Sequence, residues 1–187
     1  MKVLVLGSKP EKYGFGSSIY RAFLANNCEV TAVARPQVDF NNPKWIDVLS
    51  SVEFDVVIAS AYDHRYPGMQ LAMMKHLFEA YRHDPTKQIV AIGSMTHYYQ
   101  KTDAYSVATK ELHHYVLNVG KDSLSYECKL LLLEPGSMDN MLARKHLYQF
   151  TYSKLDETAQ MLYQFVNMNL KFLHIALRGG LKSTDAP

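Results

Sequence analysis

The sequence predicts an α/β fold: a doubly wound parallel sheet of about six strands with helices on both faces, in a single domain. Short apolar runs rich in β-branched residues alternate with longer segments whose apolar residues recur at helical spacing. The apolar runs are continuous, which is typical of parallel strands buried on both faces. The length of 187 residues suits one domain.

Five segments are interpreted as strands, and they are residues 2–7, 29–34, 54–60, 88–94 and 129–134. Five others are interpreted as helices, and they are residues 16–26, 43–51, 67–82, 102–119 and 155–168. Residues 171–178 are either a sixth strand or the end of the preceding helix. We expect residues 1–178 to form the domain and residues 179–187 to form a mobile tail.

Composition excludes several classes of protein. Lys and Arg number 20 and Asp and Glu number 18, so the formal charge of +2 is too small to predict a nucleic-acid or membrane partner. Two distant cysteines with no CxxC motif favour a reducing compartment, and hence a cytoplasmic location. No apolar run approaches the roughly 18 residues of a membrane span.

Glycines follow the first predicted strand and precede the first predicted helix. Gly7 ends the strand, Ser8 follows it, and Gly14, Phe15 and Gly16 open the helix. Glycines at such a turn let a pyrophosphate approach the backbone N–H groups of a helix N-terminus, where the helix dipole favours negative charge. This order predicts a dinucleotide-binding, Rossmann-like domain.

The end of the second strand predicts which dinucleotide binds. An acidic residue at this position usually binds a free ribose 2′-hydroxyl, but Ala34 stands here and Arg35 follows. A guanidinium can bind a 2′-phosphate through two hydrogen bonds, and Lys9 and Lys12 are further candidates to assist it. We therefore expect NADP rather than NAD.

Groups suited to carbonyl chemistry follow the fourth and fifth strands. Ser94 ends the fourth strand, Tyr105 and Lys110 lie in the next helix, and Pro135 and Gly136 follow the fifth strand. A phenol can protonate a developing alkoxide if a nearby ammonium lowers its pKa and a hydroxyl positions the carbonyl. A Pro-Gly turn brings backbone close to a planar ring such as nicotinamide.

These motifs, in this order and over nearly the whole chain, resemble the short-chain dehydrogenase/reductase family. The resemblance implies that Gly7, Gly14 and Gly16 hold the pyrophosphate and that Ser94 orients a substrate carbonyl. It also implies that Lys110 holds the ribose and lowers the pKa of a catalytic tyrosine.

The resemblance carries two further implications. Ala59 and Ser60, at the end of the third strand, match the segment that flanks the adenosine ribose, and Asp39 and Phe40 match the turn near the adenine. The predicted helices 67–82 and 102–119 pair across the subunit interface in the family, and both have broad apolar faces. We therefore expect a homodimer or homotetramer.

One departure from the family concerns the catalytic tyrosine. The family has tyrosine four residues before the lysine, whereas Tyr105 is five before Lys110. On a regular helix five residues leave two side chains about 140° apart. Either the helix carries a π-bulge, or Tyr98 or Tyr99 substitutes, or the site does not perform the standard chemistry. We predict a local irregularity between Tyr105 and Lys110, with the Tyr105 hydroxyl pointing into the cofactor cleft.

The sequence therefore predicts an NADP-dependent oxidoreductase that reduces a carbonyl or oxidises an alcohol of a small molecule. The alternative is a catalytically inactive dinucleotide-binding protein of the same fold that acts as a sensor or regulator. A third hypothesis is a partner-binding protein without cofactor. We predict no metal site, because the sequence has no HExxH motif and the adjacent His113 and His114 point to different sides of a helix.

Overall fold

The structure is a computed structural model that describes residues 1–7, 14–42, 44–63, 65–99, 102–122, 124–136 and 154–177. Its strands are β1 (Lys2–Leu6), β2 (Glu29–Val33), β3 (Val56–Ala59), β4 (Gln88–Ile92), β5 (Lys129–Pro135) and β6 (Phe172–Leu177). Its α-helices are α1 (Phe15–Ala25), α2 (Trp45–Ser50), α3 (Met69–Tyr81), α4 (Ala104–Lys121) and α5 (Leu155–Val166). A short 3₁₀ helix, Met95–Tyr99, was not predicted from the sequence.

The six strands form one sheet in the order β2-β1-β3-β4-β5-β6, and all five neighbouring pairs are parallel. This arrangement confirms the predicted fold class and identifies residues 172–177 as a strand rather than the end of a helix. The strand order reverses between β1 and β3. In open parallel sheets ligands bind beyond the carboxyl ends of the strands at such a reversal.

Both faces of the sheet are covered, as the continuous apolar strands predict. One face packs against α2, α3 and α4 and buries side chains such as Leu4, Val57 and Leu112. The other packs against α1 and α5 and buries Phe23 and Leu162, among others. Alternate residues of each strand serve opposite faces, so nearly every strand position is apolar.

The apolar faces of α3 and α4 are largely buried within the subunit. On α3 five apolar residues are at most 6% exposed, and they are Met69, Met73, Met74, Leu77 and Phe78. On α4 Leu112 and Val116 are similarly buried, whereas Val107 is exposed. These faces therefore need no partner subunit to cover them. The homo-oligomer stays a prediction. Light scattering of the purified protein tests it by measuring the mass of the assembly in solution.

The predicted tail, residues 179–187, lies outside the described residues, as does Ser8. Within the described ranges, no helix is both long enough and apolar enough to span a membrane.

Candidate functional site

The carboxyl ends of β1 and β3 meet at the strand-order reversal, and Gly7 lies between them. Its φ of +89° belongs to the left-handed region, and a Cβ placed on it would lie 2.2 Å from the Ala61 Cα. The Ser60 hydroxyl donates a hydrogen bond to the Leu6 carbonyl at 2.8 Å, which ties the two strand ends together. Ala59 ends β3 and is 2% exposed. Only glycine permits this close approach of backbone to backbone.

The N-terminus of α1 suits a pyrophosphate. Gly14 precedes the helix with a φ of +151°, and a Cβ built there would have no neighbour within 4 Å. Among the described residues no side chain caps the helix, and no acidic residue stands in its first turn, which includes Phe15 and Gly16. The first N–H groups of the helix are therefore suited to bind an anion.

Arg35, which follows β2, forms ion pairs with two carboxylates. Its Nη2 lies 2.6 Å from Oδ2 of Asp63 and 3.3 Å from Oδ1 of Asp39. Asp63 is 5% exposed in its side chain, and it also accepts hydrogen bonds from Arg65. These hydrogen bonds from Arg65, together with the Arg35 contact, hold the pKa of Asp63 well below its usual range. The guanidinium that was predicted to bind a 2′-phosphate thus already carries two acidic partners.

A cavity of about 480 Å³ opens near the carboxyl ends of β2 and β3. The segment after β2 contributes Phe40 and Asn41, and the segment after β3 contributes Arg65 and Tyr66. Apolar and aromatic walls with a few polar groups are typical of small-molecule sites. The cavity includes Phe40, which the sequence resemblance placed near an adenine.

Four hydroxyl groups gather at the carboxyl end of β4. Thr96 donates from its backbone N–H and from Oγ1 to Oγ of Ser94, at 3.3 and 3.2 Å. The Thr96 and Thr109 hydroxyls are 3.3 Å apart. Tyr105 lies beside this cluster, close enough for the Ser94 hydroxyl to lower the pKa of its phenol. The structure therefore brings Ser94 and Tyr105 together, as a carbonyl-binding site requires.

The environment of Tyr105 keeps its phenol protonated. Burial raises the pKa of this phenol above its usual value, and the Ser94 hydroxyl lowers it by less. The Tyr62 ring packs edge-on against the Tyr105 ring, with centroids 4.7 Å apart. A neutral phenol held beside a serine hydroxyl can donate a proton or a hydrogen bond to a substrate oxygen.

The local irregularity predicted for this region is absent. Helix α4 is α-helical from Ala104 to Lys121. Asp103 caps its N-terminus, and the Asp103 carboxylate accepts a hydrogen bond from the Ser106 N–H at 3.0 Å. Regular geometry places Tyr105 and Lys110 about 140° apart. Lys110 is accordingly exposed to solvent, while Tyr105 faces Ser94. The structure does not bring Lys110 together with the other two predicted catalytic residues.

Pro135 and Gly136 lie at the end of β5, the strand next to β4. The Gly136 N–H donates to the Leu177 carbonyl at 2.8 Å, and the Gly93 N–H donates to the Leu133 carbonyl at 2.8 Å. These bonds hold the ends of β4, β5 and β6 side by side. The Pro-Gly segment therefore lies one strand away from the hydroxyl cluster. Tyr98, the alternative proton donor, donates to Oε2 of Glu134 instead, and the side chain of Tyr99 lies outside what the structure describes.

Sequence reasoning missed several residues of this edge. Thr109 has a clear signal, because it is four residues after Tyr105 and therefore on the same helix face. Tyr62 and Asp63 come three and four residues after the end of the buried strand β3, in the region where ligand-binding residues are expected. Glu134 is a charged residue that interrupts an apolar strand, and a buried charge requires partners.

No protein-family model matches the sequence, and no curated protein sequence matches it. The fold is nevertheless similar to solved structures of dehydrogenases. Serine dehydrogenase from Escherichia coli is 14% identical, with a TM-score of 0.67, and the match covers 94% of this chain and 97% of that one.

Two further similar structures contain a bound cofactor. A short-chain dehydrogenase from Leptospira borgpetersenii with bound NAD+ is 13% identical, with a TM-score of 0.72, covering 96% of this chain and 91% of that chain. A short-chain dehydrogenase from Burkholderia cenocepacia in complex with NADP is 11% identical, with a TM-score of 0.69, covering 93% and 87%. At these identities the similarity concerns the fold, and the chain has the α/β fold of the short-chain dehydrogenases.

Proposed function

We propose that the protein binds a nicotinamide dinucleotide and reduces the carbonyl group of a small molecule, with Tyr105 as proton donor and Ser94 as the hydroxyl that positions the carbonyl. The observation that carries this proposal is the position of Tyr105 beside Ser94 and its hydroxyl cluster at the carboxyl end of β4, where the Ser94 hydroxyl lowers the pKa of the phenol. It places an acidic hydroxyl and an orienting hydroxyl in one site.

The bound dinucleotide supplies the hydride, and the protein residues supply position and a proton. The glycines at the end of β1 and before α1 leave backbone N–H groups open to the pyrophosphate. Ser94 holds the substrate oxygen, and the phenol of Tyr105 gives its proton to that oxygen as negative charge develops. Because burial raises the pKa of the phenol, the phenol is protonated at neutral pH, which is the form that reduction needs, but it is also a weaker acid than an unperturbed tyrosine.

We propose NADP rather than NAD as the cofactor, and this choice depends on Arg35. Both of its ion pairs use Nη2. A guanidinium has five N–H donors, and we propose that Nε and Nη1, which neither of the two described ion pairs uses, bind the 2′-phosphate. Asp39 and Asp63 oppose this binding because they add negative charge beside the phosphate position.

A second candidate is a dinucleotide-binding protein without catalysis, which acts as a sensor or regulator. One specific observation favours it: Thr109 occupies the position one helical turn after Tyr105, and Lys110 is directed to solvent. Among the described side chains, burial, Ser94 and Asp103 determine the pKa shift of Tyr105, and no ammonium contributes to it. A dinucleotide site with a weakened proton donor is consistent with binding alone.

Two measurements on the same protein separate these functions. The first is thermal unfolding with NADPH or NADH, because a ligand that binds only the folded state stabilises it by RT ln(1 + [L]/Kd). The second is NADPH oxidation in the presence of a panel of aldehydes and ketones. Stabilisation with turnover supports the reductase. Stabilisation without turnover across the panel favours the sensor, and no stabilisation by either dinucleotide contradicts both.

A further inference from the structure

A carboxylate and two imidazoles meet at the carboxyl end of β5, beside the hydroxyl cluster but separate from it. Nδ1 of His113 lies 3.1 and 3.0 Å from the two carboxylate oxygens of Glu134. Nε2 of His174 lies 2.7 Å from Glu134 Oε2. One donor atom from each of the three residues lies within 4.8 Å of the other two.

Three regular elements hold these side chains. His113 comes from the buried face of α4, Glu134 from β5 and His174 from β6. The parallel register pairs Leu132 with His174, so Glu134, two residues after Leu132, projects from the same face of the sheet. The rings of His113 and His174 are 5.4 Å apart between centroids. Side chains on packed helices and strands are positioned more rigidly than side chains on loops.

The carboxylate of Glu134 is fully buried, with 0% exposure. Burying an ionised carboxylate is costly unless it is paired or bound to a metal ion. Two imidazole nitrogens and a carboxylate oxygen form a ligand set of catalytic zinc sites, in which a fourth position is left to water. Ligand atoms around a tetrahedral Zn²⁺ at about 2.0–2.1 Å are ~3.3 Å apart. The His113 nitrogen, at 3.0 and 3.1 Å from the Glu134 oxygens, is close to this spacing, whereas the His174 nitrogen, at 2.7 Å, must move outward to admit the ion.

We infer that His113, Glu134 and His174 bind a divalent transition metal ion, with Zn²⁺ as the best fit. Imidazole nitrogen favours Zn²⁺ over Mg²⁺ and Ca²⁺, which prefer oxygen ligands. The side chain of His174 is 24% exposed, so the site reaches the protein surface and an ion can enter. This inference does not depend on dinucleotide binding or on carbonyl reduction.

A fourth residue orients the carboxylate. The Tyr98 hydroxyl donates to Glu134 Oε2 at 3.3 Å, and the Tyr98 ring packs edge-on against the His113 ring at 5.6 Å between centroids. Hydrogen bonds to metal-bound carboxylates typically change metal affinity by ~10–100-fold. Tyr98 is therefore a positioning residue of the site, not a ligand.

The test is calorimetric titration of Zn²⁺ into protein that carries no histidine tag and has been dialysed against a chelator. Co²⁺ provides a second readout, because a tetrahedral complex gives intense visible absorption bands. We expect one tight Zn²⁺ site per chain. H174A should weaken Zn²⁺ binding by more than ~100-fold and Y98F by about 10-fold, since a lost ligand costs more than a lost outer hydrogen bond.

H114A is the matched control. His114 is the neighbouring histidine on α4, it is exposed, and its ring lies 5.6 Å from the His113 ring. Its loss should change Zn²⁺ affinity by no more than about twofold, the scatter of surface substitutions. E134Q preserves the shape of the buried side chain while weakening its coordination, so it should also remove the tight site.

Two results would overturn the inference: absence of a tight Zn²⁺ site in the wild type, or H174A protein that binds Zn²⁺ as tightly as the wild type. Either would show that the three residues form a hydrogen-bonded network without an ion. Circular dichroism of each metal-free variant shows whether it folds. If E134Q unfolds because its site is fully buried, the partly exposed H174A still decides the question.

Discussion

Thr109 lies one helical turn after Tyr105 on the same face of α4, and its hydroxyl contacts Thr96, which in turn donates to Ser94. In the short-chain dehydrogenase/reductase pattern, a lysine stands four residues after the tyrosine. In this sequence Thr109 occupies that position. The next residue, Lys110, is exposed. Within the described part of the chain, the proton donor of the proposed reaction therefore lies near hydroxyl groups and not near an ammonium, and the first three predictions follow from this difference.

Replacing Tyr105 with phenylalanine should abolish carbonyl reduction while leaving NADPH binding nearly intact. A positioned general acid typically contributes ~10²–10⁴-fold to a rate, and the phenol serves the transition state rather than the cofactor. Steady-state kinetics and NADPH titration measure the two effects separately. Y81F is a matched control, because Tyr81 lies at the far end of α3 and its ring contact with Phe54 survives the change. Equal activity of Y105F and wild type would remove Tyr105 from the reaction.

Replacing Lys110 with alanine tests the position of this side chain. Since Lys110 is exposed and about 140° from Tyr105 around a regular helix, K110A should change NADPH affinity and turnover by no more than about twofold. The same kinetic assay measures both quantities. A loss of ~100-fold in turnover would restore the role that the sequence resemblance implies for Lys110 and would require a different helix geometry when cofactor binds.

The pH dependence should show no ionisation of the proton donor in the neutral range. Burial raises the pKa of Tyr105 above its usual value of about 10. Reduction needs the protonated phenol, which is present below that pKa and is lost as pH rises through it. Below about pH 10 the phenol should therefore keep its proton, and its ionisation should not lower the reduction rate. Oxidation of an alcohol should accelerate as the pH approaches this value. Rates of Y105F and wild type compared across the pH range isolate the contribution of the phenol.

The sheet was predictable from the sequence, whereas the site was predictable only in part. Continuous apolar runs specify strands buried on both faces, and Gly7 marks a strand end where no Cβ fits. The local irregularity predicted between Tyr105 and Lys110 is absent, because Asp103 caps an α-helix that runs unbroken from Ala104 to Lys121. Glu134 and His174 are 40 residues apart in sequence, and only the pairing of β5 with β6 brings them together.

The close approach at Gly7 gives a prediction on stability. G7A should destabilise the fold by several kcal/mol, because left-handed backbone costs ~1–3 kcal/mol for a residue with a side chain and the new Cβ would lie 2.2 Å from the Ala61 Cα. Unfolding by urea, followed by circular dichroism, measures the change. G68A is the matched control, because Gly68 has a φ of −73° and nothing within 4 Å of a new Cβ. Similar midpoints for the two variants would contradict this account of the turn.

The choice between NADP and NAD should depend on Arg35 and its acidic neighbours. R35A should weaken NADPH binding by ~1.5–3 kcal/mol, the value of a hydrogen bond to a charged group, and leave NADH binding nearly unchanged. Asp63 keeps its hydrogen bonds from Arg65 in this variant, so the fold should survive. D39N should act in the opposite direction and strengthen NADPH binding by up to ~1 kcal/mol, because Asp39 is exposed and its charge is screened. Fluorescence titration of each variant with both dinucleotides measures these shifts. If R35A weakens NADH and NADPH equally, Arg35 does not recognise a 2′-phosphate, and the preference for NADP is wrong.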